Sequence, residues 1–93
     1  MRIYELMTIF PVEEDQFKAG VDSVKAALGE FGVEIEKEDS FGERGLTYEV
    51  KKRNRGKFVL FVIKANPAKI IEIDRLFKLN QGLLKYLFVR IDE

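Results

Sequence analysis

The chain has 93 residues, 46% hydrophobic and 34% charged, a length and composition that fit one globular domain, residues 1–93, and exclude a disordered chain. It has no cysteine and no histidine, which excludes a disulfide framework, a thiolate metal site, a Cys nucleophile and an imidazole base. Sixteen cations balance sixteen anions, which argues against a strongly basic, free-standing nucleic-acid binder.

The start, Met1-Arg2-Ile3-Tyr4-Glu5, does not read as a signal peptide. No apolar run reaches the ~18 residues of a bilayer span, so a cytoplasmic location with no membrane contact is expected. Arg2 to Phe10 is apolar on both alternating sets, with Ile3, Met7 and Ile9 on one face and Tyr4, Leu6 and Phe10 on the other. That pattern predicts a central strand ended by Pro11. Glu13, Glu14 and Asp15 then put negative charge where a helix dipole favours it. Phe17, Val21, Val24, Leu28 and Phe31 follow at steps of four, three, four and three, a helical stripe closed by Gly32. Gly20 and Gly29 weaken this helix and are expected to mark close contact with the sheet.

Val33 to Lys52 predicts a long second strand with an irregular middle at Asp39-Ser40-Phe41-Gly42. Leu46, Tyr48 and Val50 alternate with Thr47, Glu49 and Lys51, the dry and wet faces of an outer strand. Lys51-Lys52-Arg53-Asn54-Arg55-Gly56-Lys57 then places five cations in seven positions. This reads as the tip of a hairpin, either a grip for phosphate or a solvated turn. Lys57 to Ala65 is apolar on both faces and predicts a second central strand. Asn66-Pro67 is an N-cap with Pro at the first helical position. Ile70, Ile73 and Phe77 mark the buried stripe of a second helix, and Asn80-Gln81-Gly82 closes it. Leu83 to Ile91 is the last strand.

The order β-α-β-β-α-β predicts an α+β, ferredoxin-like sandwich. Two right-handed crossovers put both helices on one face of a four-stranded antiparallel sheet and leave the other face uncovered. Charge is split along the chain: residues 1–49 carry five cations and twelve anions, and residues 50–93 carry eleven cations and four anions. Such a split suits an anionic partner on one surface and a different partner on another.

No catalytic constellation is present: no Ser-His-Asp set, no zinc spacing, no P-loop and no GxGxxG. No cofactor, resident metal or small-molecule substrate is expected. Glu34, Glu36, Glu38 and Asp39 read as a solvated face rather than a cation site, and Glu36 and Glu38 as charges that discourage edge-to-edge pairing. RNA-recognition domains share this element order and stack bases on third-strand aromatics. Here Phe58 and Phe61 fit that signature from its end, Gly56 and Lys57 miss it, and Tyr4 is the first-strand aromatic. Core packing accounts for these rings at less cost.

Three stretches in order resemble the bacterial ribosomal small-subunit protein six family. Arg2-Ile3-Tyr4-Glu5 is similar to its R-x-Y-E start. Phe41-Gly42-Glu43-Arg44-Gly45-Leu46-Thr47-Tyr48-Glu49-Val50-Lys51-Lys52 is similar to its L-G-x-R-x-L-A-Y-x-I-x-K run. Leu83-Leu84-Lys85-Tyr86-Leu87-Phe88-Val89-Arg90 is similar to its V-L-R-Y-x-x-V-K/R strand. The chain departs from that pattern at Gly45 (usually Arg), Thr47 (Ala), Glu49 (Pro) and Lys85 (Arg). The last change gives up bidentate phosphate geometry.

The resemblance implies a non-enzymatic constituent of the small ribosomal subunit. It would bind the central domain of 16S ribosomal RNA together with ribosomal small-subunit protein eighteen. Arg2, Lys51, Lys52, Arg53, Arg55, Lys57, Lys85 and Arg90 are the candidate phosphate partners, with Arg2 and Arg90 expected at one end of neighbouring strands. Tyr4, Arg44 and Tyr86 are candidates for the partner surface. The alternative reading is a ferredoxin-like regulatory or dimerisation module that binds a small ligand or its own copy through the open sheet face.

Overall fold

In the computed structural model, which describes residues 1–91, the chain runs β1 (Arg2–Phe10), α1 (Glu14–Glu30), β2 (Glu34–Val50), β3 (Arg53–Ala65), α2 (Pro67–Lys78) and β4 (Lys85–Arg90). The sheet order is β2-β3-β1-β4, antiparallel throughout. The two strands that read as apolar on both faces, β1 and β3, are the central pair. One core takes Val21, Val24 and Leu28 from α1, Ile73 and Phe77 from α2, and Tyr4, Leu6, Phe10, Val59, Phe61 and Ile63 from the sheet. Both helices therefore cover the same face, as the ferredoxin-like order predicts. Phe10, Phe61 and Phe77 are the largest fully buried side chains. Truncating any of them to Ala is expected to cost about 3–5 kcal/mol.

The helix ends follow the sequence signals. At the end of α1, Gly32 takes φ +70, the Gly32 amide donates to the Gly29 carbonyl at 3.1 Å, and the Val33 amide donates to Leu28 at 2.9 Å. That is a Schellman closure, with Val33 and Leu28 supplying its hydrophobic contact in the core. At the start of α2 the Asn66 side chain accepts from the Ala68 amide at 2.9 Å, and Pro67 sits at the first position, where no amide is needed. Gly20 marks a close approach: a Cβ there would lie 2.7 Å from both the Gly82 carbonyl oxygen and the Phe10 ring. Gly29 meets nothing within 4 Å, so the close contact expected there does not form.

The open face carries the alternate set. Met7 pairs with Leu60 and Leu87, Glu5 with Val62 and Val89, and Ile9 with Phe58 and Lys85. Met7, Leu60 and Val62 are half-buried and Leu87 is exposed, with no helix above them. On the helix face, Thr8 is buried and donates from its hydroxyl to the Val59 carbonyl at 2.7 Å.

Candidate nucleic-acid interface

The cationic stretch is the tip of the β2–β3 hairpin, as expected, but its turn is shorter than the stretch. Val50 pairs with Arg53, so only Lys51 and Lys52 form the turn, and Arg53 to Lys57 already belong to β3. Both turn residues have positive φ, 50° and 65°, the handedness that a two-residue hairpin requires. Neither is glycine, and the left-handed region disfavours a side chain by about 1–2 kcal/mol per residue.

Alternation along β3 sends Arg53, Arg55 and Lys57 to the same side as Val59 and Phe61, the side of the helix layer. The N-cap residue Glu13 and the first-turn residue Glu14 of α1 stand there. One Nη of Arg53 donates to both Glu13 carboxylate oxygens, at 2.5 and 2.9 Å. Lys57 Nζ lies 3.0 Å from Glu14 and 4.6 Å from the centre of the Phe17 ring. Arg55 Nε meets Glu43 of β2 at 2.5 Å. The hydrogen bond from Arg53 is the main reason that Glu13 stays below the usual carboxylate range. Three of the five cations in the stretch are thus paired with acids from the acidic half of the chain. Lys51 Nζ donates to the Leu83 carbonyl at 3.0 Å, a neutral acceptor that leaves its charge uncompensated. Lys52, Lys85 and Arg44 make no ion pair with any described residue.

The eight cations named from the sequence do not form one patch. Arg90 pairs with Tyr4, two positions from Arg2, so Arg2 and Arg90 are neighbours as expected. They lie at the end of β1 where Arg2 meets Ala65. Lys51, Lys52 and Lys85 gather at the other end, where Phe10 meets Lys57 and Ile9 meets Lys85. The two groups are roughly 26 Å apart, the rise of eight strand residues.

The tyrosine candidates need correction. Tyr4 is 8% exposed, faces the helices and packs edge-on against Phe88 with ring centres 6.5 Å apart. It belongs to the core because its parity on β1 matches that of Leu6 and Phe10. Tyr86 also turns to the helix side, edge-on to Phe77 at 5.3 Å, and its hydroxyl donates to the Asp74 carboxylate at 2.6 Å. Its phenol is pushed up to about 12, first by burial and then by that hydrogen bond. Phe61 is fully buried, so of Tyr4, Phe58 and Phe61 only half-buried Phe58 is on the open face, and a base-stacking platform of the RNA-recognition type does not form. Arg44 is exposed opposite Gly56, on the open face with Phe58.

The aromatic that sequence reasoning missed is Tyr48. Alternation placed it on a dry face, but it is 75% exposed, because pairing between β2 and β3 breaks between Gly45 and Val50. The available signal was Gly45, since a glycine inside a strand often marks a bulge. Phe41, beside the expected irregularity at Ser40 and Gly42, is also exposed, at 44%. Among the described residues no helix is long and apolar enough to cross a membrane, and no group of three or more acidic side chains is placed to hold a metal ion.

The profile of the family described as "Ribosomal protein S6" matches residues 3–90. Small ribosomal subunit protein bS6 of Treponema denticola is 55% identical over 93 residues, covering all of both chains. Its namesake from Treponema pallidum is 45% identical over 92 residues, 99% of each. The crystal structure of 30S ribosomal protein S6 from Thermotoga maritima superposes with a TM-score of 0.86 at 26% identity, covering 97% of this chain and 87% of that one. The C-terminal domain of the MgtC protein from Mycobacterium tuberculosis superposes with a TM-score of 0.63 over 98% of this chain and 88% of that one; at 9% identity it shares the fold alone. A family match spanning all six elements, relatives aligned end to end and a close superposition on a solved S6 agree: the chain belongs to the ribosomal protein S6 family.

Proposed function

We infer that this chain is a single-domain structural constituent of the small ribosomal subunit, resident on cytoplasmic ribosomes. It binds the central domain of 16S ribosomal RNA together with ribosomal small-subunit protein eighteen, and it is not an enzyme. The observation that carries this reading is the end-to-end identity with small-subunit relatives. Lys51, Lys52, Lys85 and Arg44, at the hairpin end and free of acidic partners among the described residues, are the cations we assign first to RNA phosphate. Arg2 and Arg90 at the far end form a second, separate group. Arg53, Arg55 and Lys57 hold the hairpin against α1 and β2, and any phosphate contact they make competes with Glu13, Glu43 and Glu14. We assign the protein partner to the uncovered strip of the sheet, where Leu87 is 61% and Val89 44% exposed.

In a lysate the chain is expected to sediment with small subunits, and its affinity for a central-domain 16S fragment is expected to rise when protein eighteen is added. A chain that stays free, forms tight homodimers and ignores protein eighteen would overturn this reading in favour of a dimerisation module.

A further inference from the structure

The register break in β2 sets Leu46, Thr47, Tyr48 and Glu49 opposite the single residue Asn54 of β3. This bulged segment closes over the hairpin end of the open face and forms a recess of about 240 Å³ lined by Ile9, Leu46, Tyr48, Val50, Phe58 and Lys85. The walls are apolar and aromatic. Tyr48 stands at the rim, 75% exposed, so its ring adds little to the core. The charge around the recess is mainly positive: Lys85 lines it, Arg44 precedes the lining residue Gly45, and Lys51 and Lys52 follow Val50 directly, against the single acid Glu49 between Tyr48 and Val50. No carboxylate lines it. A cationic rim repels a basic protein and attracts a polyanion. An exposed ring beside an apolar slot is what an unstacked base needs, since every base has a π-face to stack while cations hold the flanking phosphates.

We propose that Tyr48 and this recess seat an unstacked nucleobase of the RNA, with Lys85 and Lys52 holding the phosphates on either side. The inference rests on the ribosomal RNA-binding reading and adds a base contact to a surface otherwise assigned to the backbone. The test measures binding of a central-domain 16S fragment by the full chain with protein eighteen present. Tyr48→Ala is expected to weaken binding about tenfold, while Tyr48→Phe keeps the ring and stays within about twofold of wild type. Because Tyr48 lies outside the core, the melting curve of Tyr48→Ala is expected to superimpose on that of wild type. Chemical probing of base edges is expected to show one nucleotide that loses protection in Tyr48→Ala and regains it in Tyr48→Phe. Wild-type affinity in Tyr48→Ala overturns the proposal. So does an equal loss in binding to protein eighteen without RNA, which would make the recess a protein seat. If the wild-type chain fails to bind the fragment with protein eighteen present, the ribosomal reading falls first and the base seat with it.

Discussion

Tyr86 shows how one hydroxyl ties β4 to α2. The phenol donates to the Asp74 carboxylate at 2.6 Å, with the Asp74 backbone carbonyl also in reach at 3.0 Å. The two groups move each other in opposite directions. Asp74 is held below the usual carboxylate range by Tyr86 first and Lys78 second, while burial and then Asp74 push Tyr86 up to about 12. A raised phenol favours the folded state while it is protonated, so its contribution is complete below the unfolded value of 10.0 and is lost as pH climbs toward 12. A depressed carboxylate acts the other way: the contribution of Asp74 is present above its ordinary value of 3.8 and is lost as pH falls through its lowered one. Tyr86→Phe is expected to destabilise by about 1 kcal/mol at neutral pH, because partly exposed Asp74 recovers some of the loss from water. Urea titrations across pH should show wild type losing stability above pH 10 and Tyr86→Phe losing less there. Periodicity shows that Tyr86 and Asp74 lie on different elements, but whether two side chains twelve positions apart meet is settled only when β4 docks under α2.

The hairpin between β2 and β3 shows which features of an element are local. Asn66-Pro67 at the start of α2, Gly32 at the end of α1 and the bend before Gly42 were legible because each depends on backbone chemistry within a few residues. The hairpin tip was legible too, but not the extent of its turn: the pairing of Val50 with Arg53 shortens it to Lys51 and Lys52, both left-handed. Strained residues that persist without glycine point to a use for their side chains. Replacing Lys51-Lys52 with Asn-Gly is expected to stabilise the domain by about 1 kcal/mol, after allowing for the missing Lys51–Leu83 hydrogen bond. The same variant is expected to weaken RNA binding. A gain in denaturation midpoint with unchanged RNA affinity would show that the two lysines do not touch RNA. The outer strand β2 carries three register breaks and a row of charges, a defence against edge-to-edge pairing. Only the break at Ser40 and Gly42 was anticipated, because the one after Gly45 needs β3 as its reference.

For the whole molecule, the charge split along the sequence becomes charge pairing in space. The acids at the start of α1, Glu13 at its N-cap and Glu14 in its first turn, and the cations of β3 are about forty positions apart in the chain and in contact in the fold. This makes a distinction measurable by salt titration of RNA binding with protein eighteen present. Neutralising Lys51, Lys52 and Lys85 to Gln is expected to flatten the slope of log K against log salt by about 0.7–0.9 for each phosphate no longer neutralised. Neutralising Arg53 and Lys57 is expected to change the slope less and stability more, since both are tied to α1. An equal flattening by both sets would mean that RNA draws Arg53 and Lys57 away from Glu13 and Glu14. The sequence by itself determined the element order, the faces of both helices, the central place of β1 and β3, the lack of cysteine and histidine and the family. Those follow from periodicity, composition and collinear motifs, which are properties of neighbouring residues. The tertiary structure alone decided which cations are paired, that Tyr4 and Tyr86 face the core while Tyr48 does not, and that the candidate phosphate partners divide between two ends of the sheet. Each of those depends on strand register and helix docking, which bring together residues the chain keeps far apart.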